Sequence, residues 1–498
     1  MWTHWLRSRP SAAAIVRRKP WVVCAAQGTV RASTPALRPM RGNIRRGLLA
    51  AAAGALLAAC VHAPPAAPLE PSTTLAGFNA RTLDGLSGGL PAASAGWDRS
   101  QWLSAALQLN PQLAEERAAV MAAAAAERSA AERPNPGMEL FAEYLTTAAQ
   151  STAWLYGLSL DFLLRHPAER ARARHQAALQ AALAQSELAE SIWQVRAALR
   201  QALLDAVSAR DESALLGSLI AERQALLDSD RARLQVGDLA RTQMLADELE
   251  LARARQREQQ SKARAVDSLV RLAAAVGVPS TALAAASVRW DDWAAIGALQ
   301  SATSERWRTE ALIARPQITH ALREYDLTQI GLQREVAKRW PQLHLSPAYA
   351  WGGDGVREDA RGAINTESAL GVSFELPLFN QHQGAIAEAL ARRAAAGEHL
   401  KAVQAQIFEQ IDRAERAWPT VRQAWQETQQ LAALAERQSH AEERAMREGA
   451  SDRASMLASE ITATEAQLSV LAAAYTAEVA YGALEDAYHR PLEGNEGP

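Results

Sequence analysis

The feature that most constrains this chain is that its body is written twice. The segment Gly237-Asp-Leu-Ala-Arg241-Thr-Gln-Met244-Leu245-Ala-Asp-Glu248 recurs as Gly449-Ala-Ser-Asp-Arg453-Ala-Ser-Met456-Leu457-Ala-Ser-Glu460, with Gly, Arg, Met, Leu and Glu at an offset of 212. A second segment, Gly157-Leu-Ser159-Leu-Asp161-Phe162-Leu-Leu164, recurs as Gly371-Val-Ser373-Phe-Glu375-Leu376-Pro-Leu378 at an offset of 214. Two separate segments at nearly one offset define a tandem duplication. The copies cover 98–290 and 306–490, with a linker over 291–305 and a tail over 491–498.

Each copy reads in the same order. A helix of about 33 residues comes first (100–132 and 306–339), ended by Pro134 and Pro136 in one copy and Pro341 in the other. Two short strands follow, then a very long helix, a break at Gly237 or Gly449, and a shorter returning helix. No Pro lies between Pro167 and Pro279, and Leu188, Ile192, Val195, Leu199 and Ala202 follow the alternating four-and-three spacing of a coiled coil. A continuous helix over 168–234 would be roughly 100 Å long, so the first and last helices of a copy could stack end to end beside it. Pro419 predicts a kink or break in the second long helix.

The strands carry a different signal. Trp154, Tyr156, Leu158, Leu160 and Phe162 alternate with Leu155, Gly157, Ser159 and Asp161. Leu370, Val372 and Phe374 alternate with small or polar residues, as do Leu343, Leu345, Tyr349 and Trp351. Met138–Leu145 alternates poorly, because Phe141 and Leu145 fall on the face of Glu139 and Glu143. One apolar and one polar face over this length is the pattern of a membrane β-barrel wall, with Trp154, Tyr156, Tyr349 and Trp351 as an aromatic girdle. A half-buried sheet on a soluble core would also alternate, but no apolar helix is present to cover it. The expected lipid-facing set is Trp154, Tyr156, Leu158, Leu160, Phe162, Leu343, Leu345, Leu370, Val372 and Phe374. Four strands per chain cannot close a cylinder, since barrels begin at about eight, and open strand edges are not tolerated in lipid. Several copies must therefore share one barrel.

The N-terminus reads as an export signal. Arg41, Arg45 and Arg46 precede the apolar run Leu48–Ala59, which is too short to span a bilayer of roughly 30 Å. Leu57-Ala58-Ala59-Cys60 resembles the bacterial lipoprotein box, which implies a lipidated Cys60 as the mature N-terminus; Val61 in place of Asp favours the outer membrane. Met40 is a natural start for this signal, so residues 1–39 read as an upstream segment and 40–59 as the signal. Residues 60–97 form a Pro/Ala-rich and then Gly/Ser-rich tether with no core.

Residues 1–59 hold ten Lys/Arg and no Asp or Glu; removing those ten from the total of 53 leaves 43 basic against 55 acidic side chains, a net of −12. Such a body has no electrostatic reason to bind nucleic acid. With Cys24 outside the mature chain there is neither a disulfide nor a Cys metal site. His166, His175, His344 and His382 show no ligand spacing, and His344 falls on the polar strand face. The Gly-rich stretch 352–362 lacks the P-loop Lys-Ser/Thr and reads as an external loop. No catalytic motif and no cofactor site is recognisable, so an enzyme is not expected.

Taken in order, these residues resemble the TolC-type outer-membrane efflux proteins over about 98–490. The resemblance rests on Leu109-Asn110-Pro111, Pro134-Asn135-Pro136, Glu375-Leu-Pro377-Leu-Phe379-Asn380 with Gln383-Gly384, and the two Gly-x-x-x-Arg turns. The Leu-Pro-Leu-Phe-Asn segment is closest to the heavy-metal (cation) branch. The resemblance implies a mainly α fold with a membrane β-barrel: a homotrimer with a 12-stranded barrel and a 12-helix periplasmic α-barrel. It also implies an outer-membrane exit duct that works with a periplasmic adaptor and an inner-membrane pump. The tips that dock the adaptor would carry Gly237, Arg241, Gly449 and Arg453. Family members that narrow the tip with aspartates have them six and nine residues after the second Gly; here those positions are Ser455 and Ala458, leaving Asp452 and Glu460 as the nearest acids for a tip gate. The competing readings are a periplasmic adaptor or coiled-coil structural lipoprotein, which forms no pore, and a type I protein secretion duct.

Overall fold

The computed structural model describes residues 68–84, 86, 96–144, 154–165, 167–284, 286–290, 293, 305–352, 357–359, 362–364 and 366–492. The signal segment, Cys60, Leu145, His166, most of the tether and linker, and residues 493–498 lie outside them. The chain divides into two compact units, 1–77 with 497–498, and 78–496. The described part of the first is residues 68–77, which hold most of helix α1 (Pro71–Asn79).

In the second unit, copy one runs α2 (Arg99–Leu109), α3 (Pro111–Ala130), β1 (Gly137–Tyr144), β2 (Trp154–Leu164), α4 (Pro167–Gln235) and α5 (Arg241–Val276). Copy two runs α6 (Glu305–Ala314), α7 (Pro316–Ala337), β3 (Leu343–Gly352), β4 (Arg357–Asp359), β5 (Gly362–Ile364), β6 (Thr366–Phe374), α8 (Gln383–Arg447) and α9 (Arg453–Tyr488). The long helix of copy one is continuous for 69 residues, about 100 Å at the α-helical rise. Both returning helices have 36 residues.

The tether expected to have no core is helical over Pro71–Asn79, and its Leu83 and Trp97 are buried in the main core. Three further expectations are corrected. The first helix of each copy is not continuous but broken, at Asn110-Pro111 and at Arg315-Pro316. Proline has no N–H to give the preceding turn and clashes with it, so each Pro opens a new helix at its first position. In copy one Asn110 makes the break a staple. Its Oδ1 accepts from Gln112 N (2.9 Å) and Leu113 N (3.2 Å), while its Nδ2 donates to Ala275 O (2.8 Å) at the end of α5. That bond stacks α2–α3 end to end with α5 along α4.

Second, α8 is not broken at Pro419. Glu415 loses a helical donor for its carbonyl, but Trp418 and Trp425 on either side are buried, and the Glu415 carboxylate accepts from Arg308 (2.7 Å) and Tyr488 (2.6 Å). Tertiary packing outweighs a local cost of ~3 kcal/mol.

Third, the described residues contain six strands rather than four. The β4–β5 hairpin lies in the connection 353–365, which is longer than its counterpart 145–153. That difference, 13 residues against nine, accounts for four of the nine residues by which the repeat offset grows. Pro111 and Pro316 are 205 residues apart, whereas the glycines after the hairpins are 214 and 212 apart.

The four long strands form one antiparallel sheet in the order β1-β2-β3-β6. The copies meet at β2–β3, so neither repeat owns a sheet of its own. The helices form two stacked rows that share the long helices: α3, α4, α7, α8 side by side in one half, and α5, α4, α9, α8 in the other. The main core sits where the halves join, around Trp97, Trp102, Leu113, Leu203, Ile411 and Trp418. Val195, Leu199 and Ala202 of the predicted seam are buried in it, with Leu188 and Ile192 against it. A smaller cluster, including Leu216, Leu219 and Ile461, holds the half nearer the turns.

Candidate functional site

The sheet has one apolar and one polar face, and the register assigns each residue. Cross-strand partners in an antiparallel pair share a face. Tyr144 pairs with Trp154, Leu140 with Leu158, and Met138 with Leu160. Tyr156 pairs with Trp351, Leu158 with Tyr349, Phe162 with Leu345, and Leu164 with Leu343. Leu343 pairs with Phe374, Leu345 with Val372, and Pro347 with Leu370. All ten residues predicted for the apolar face lie on it. Met138, Leu140, Tyr144, Leu164 and Pro347 join them.

The poor alternation of β1 has a local cause. Phe141 does fall on the polar face, but opposite Gly157, and a Cβ there would lie 2.1 Å from the Phe141 ring. The missing side chain makes room for the ring, so one large residue is absorbed without turning the strand over.

Nothing in the described chain covers the apolar face. No helix packs broadly on the sheet, and Leu140, Leu370 and Phe374 are 68%, 67% and 55% exposed. At one end Tyr144, Trp154, Tyr156, Tyr349 and Trp351 form a contiguous aromatic cluster, with neighbouring ring centroids 5.1–6.3 Å apart. On the polar face, His344 Nδ1 lies 3.0 Å from Asp161 Oδ2 and the Ser346 hydroxyl donates to Oδ1 at 3.0 Å. His344 thus pairs with a strand neighbour, and the described residues hold no cluster of three potential metal ligands.

Both edges are bare. β1 and β6 each have one partner; α8 has helical neighbours on one side only, as do α3 and α5. The sheet and each helical row are four elements wide, and among the described residues their outer elements have neighbours on one side only. No described helix is long and apolar enough to cross a membrane.

The two turns at the far end from the sheet are built alike. Gly237 and Gly449 have φ of +85° and +77°, a left-handed conformation that disfavours any Cβ. Each ends its long helix in a Schellman motif: Asp238 N donates to Arg233 O (2.9 Å) and Ala450 N to Ala445 O (2.7 Å). Arg241 and Arg453 open the returning helices, exposed, and no ion pair is recorded for either among the described residues. A cation at a helix N-terminus opposes the macrodipole.

The acids named for the tip have local duties. Asp452 caps α9, its Oδ1 accepting from Ser455 N at 2.7 Å, and that bond holds its carboxyl below the usual range. The copy-one counterpart, Ala240, offers no such cap. Glu460 is half-buried and faces Glu222 of α4, whose carboxyl is raised by burial and then by Glu460, while Thr464 donates to it at 2.8 Å. A further acid pair lies near the first turn: Asp230, buried, is raised by burial and by Asp247 of α5, with Arg233 3.8 Å away. The pair is not legible in the sequence because its members sit on two helices and meet only after the turn.

Long antiparallel helices joined to a four-stranded sheet, both left open at their edges, have the fold of an outer-membrane channel subunit. The solved structures it is similar to include the outer-membrane channel OprN, with a TM-score of 0.65 and 17% identity over 82% of this chain and 98% of that one. The outer membrane protein VceC of Vibrio cholerae scores 0.63 at 17% identity, over 79% and 97%. The open state of the MtrE outer membrane channel of Neisseria gonorrhoeae scores 0.63 at 13% identity, over 88% and 100%. The scores are nearly equal and single out no branch. No protein-family model and no curated protein matches the sequence.

Proposed function

We propose that this protein is the outer-membrane exit duct of a tripartite efflux system: a passive conduit, not an enzyme, that receives its substrate from an inner-membrane pump through a periplasmic adaptor. The observation that carries this reading is the matched incompleteness of sheet and helical rows. The sheet is apolar on one face, uncovered and open at both edges, which is untenable in lipid for a single chain. Three copies supply twelve strands, enough to close a barrel, and their helical rows close in the same operation. The adaptor alternative predicts one helical hairpin flanked by a lipoyl-like β-domain, whereas the described residues contain two helical hairpins and a four-stranded antiparallel sheet shared by both copies.

In this reading the ten apolar-face residues from Trp154 to Phe374 meet lipid, and the aromatic cluster sits at the headgroup level. Gly237, Arg241, Gly449 and Arg453 present the adaptor-docking tips. Asp452 and Glu460 supply negative charge at the tip, Asp452 while also capping its helix.

Lipidation at Cys60 is compatible with the reach of the chain. Arg81 is clamped to the carbonyls of Leu109 (3.2 Å) and Gly277 (2.9 Å) at the helix junction. From there α3 covers about 30 Å towards the sheet. The twenty residues between Cys60 and Arg81, nine of them helical in α1, can span about 50 Å.

Purified protein in detergent should run as a cross-linkable trimer and conduct ions across planar bilayers. A monomer that never conducts would overturn the proposal.

A further inference from the structure

The duplication sets Gly277 and His489 at one position, 212 residues apart. Each follows the last residue of a returning helix, and each is left-handed, with φ of +89° and +51°. The closure is the same in both: Val278 N donates to Ala273 O at 3.0 Å, and Arg490 N to Glu485 O at 3.1 Å. Glycine adopts this conformation freely, whereas histidine does so against the clash of its Cβ. Copy two therefore keeps a strained side chain where copy one has none, and that side chain is only 7% exposed.

Both ring nitrogens of His489 face acceptors. Nε2 lies 3.0 Å from Glu190 Oε2 on α4, and Nδ1 lies 3.1 Å from the Asp486 carbonyl. The ring stacks on Trp193 at a centroid distance of 4.7 Å, and the Trp193 indole donates to Asp486 Oδ1 at 3.1 Å. A carbonyl oxygen only accepts, and so does an ionised carboxylate. Burial alone would raise the Glu190 carboxyl, but the hydrogen bond and charge of His489, with Gln194 and Gln317, bring it below its usual value. A neutral imidazole has a single N–H and would turn a lone pair towards one of the two acceptors. The doubly protonated ring satisfies both.

We infer that His489 is a proton-operated latch: doubly protonated, it ties the junction end of α9 to Glu190 of α4, and loss of a proton releases that tie. Glu190 extends the tie to α7, since its Oε1 accepts from Gln317 at 2.9 Å. The other charged groups around the ring are Arg196 and Arg200 of α4, Glu485 and Asp486 of α9, Arg315 before α7, and the Arg490–Glu310 pair, 3.5 Å apart. Glu485 and Asp486 are already held by Arg196 and Arg200, which leaves Glu190 as the carboxylate that answers to the histidine. Glu187 and His320, 3.2 Å apart, lie one turn away along α4. The latch belongs to the fold and operates whether or not the chain forms a duct. Its contribution is present in mild acid and is lost above neutrality.

The test compares thermal unfolding of the full-length, detergent-solubilised protein with that of His489→Asn, Glu190→Gln and the double variant, from about pH 5 to about pH 8, the interval in which histidine changes charge. Asparagine tolerates the left-handed turn, so His489→Asn removes the ring without adding backbone strain. Glu190→Gln leaves the turn untouched and offers Nε2 an amide that donates as well as accepts. At the acid end the wild type should melt several degrees above His489→Asn, and the gap should close at the alkaline end. Titration of His320 is common to both proteins and cancels. In the Glu190→Gln background, His489→Asn should have the same effect at both ends. Deuterium uptake at the acid end should rise in His489→Asn over residues 481–492 and stay unchanged over 453–465, near the turn. A gap that does not change with pH, one that keeps its full pH dependence without the Glu190 carboxylate, or uptake that rises equally in both segments would overturn the latch.

Discussion

Arg200 of α4 and Glu485 of α9 join the first long helix to the last, with Nη1 2.9 Å from Oε2. The same guanidinium donates to Asp486 at 2.6 Å and to the Gly482 carbonyl at 3.1 Å. Gly482 permits this approach, since a Cβ there would lie 2.6 Å from Arg200 Nε. Arg196 lies 3.4 Å from the same Glu485 oxygen, and the Glu485 side chain is only 5% exposed. Copy one is thereby pinned to copy two by charge as well as by packing.

Removing one partner of a buried pair leaves the other's charge uncompensated. Arg200→Met should therefore destabilise the fold by about 3–5 kcal/mol, less whatever Arg196 retains. The double variant Arg200→Met/Glu485→Gln should recover much of that loss. Chemical denaturation of the detergent-solubilised protein followed by circular dichroism reads both; equal stability of wild type and Arg200→Met would show that the pair contributes nothing.

At the tip turns, Gly237 and Gly449 are left-handed, and no atom lies within 4 Å of a Cβ built on either. The cost of a side chain is then purely conformational, roughly 1–2 kcal/mol for alanine. Asparagine, which tolerates this conformation, should cost less. If Gly449→Ala and Gly449→Asn have identical melting temperatures, backbone conformation is not what selects glycine there.

Much of this architecture is legible in the sequence because it is periodic. The duplicated turns, the coiled-coil spacing from Leu188 to Ala202 and the alternation of β2 and β6 are properties of single segments, and their burial follows them. What is hidden depends on pairing. Phe141 looks misplaced until Gly157 is known to lie opposite, and Asp230 looks like a surface acid until α5 brings Asp247 against it. Proline marks the limit of local rules. Pro111, behind Asn110 as a cap, and Pro316 open new helices inside segments that look continuous. At Pro419, where the local rule predicts a kink or break, α8 runs on unbroken with Trp418 and Trp425 buried beside it.

The Asp230–Asp247 pair makes stability depend on pH in a direction opposite to most carboxylates. Burial first, and Asp247 second, raise the native Asp230 carboxyl above 3.8, with Arg233 opposing. A raised native value means that the protonated form is the stabilising one. Its contribution is complete below the unfolded value of 3.8 and is lost as pH rises through the raised native value. Asp230→Asn, which cannot ionise, should therefore be more stable than wild type at neutral pH, with the advantage vanishing towards acid. Glu222→Gln should behave alike above 4.5, for the same leading cause of burial. Denaturant midpoints of wild type and variant measured across this range isolate the group from Glu190 and Asp98, whose lowered values act in the opposite sense. A difference between Asp230→Asn and wild type that does not change with pH would refute the assignment.

A charge on the apolar face tests its contact with lipid, and the register ranks the sites. Leu160 lies in the Met138 row, in the middle of the sheet, whereas Phe374 pairs with Leu343 at the end away from the aromatic cluster. The cost of arginine on a lipid-exposed strand is about 2–4 kcal/mol at the bilayer midplane and falls to about 0–1 kcal/mol near the interface. Leu160→Arg should therefore abolish most trimer assembly, while Phe374→Arg should be tolerated better. The recovery of heat-modifiable trimer from outer-membrane fractions measures both. Equal, wild-type yields would mean that this face is covered by protein rather than by lipid.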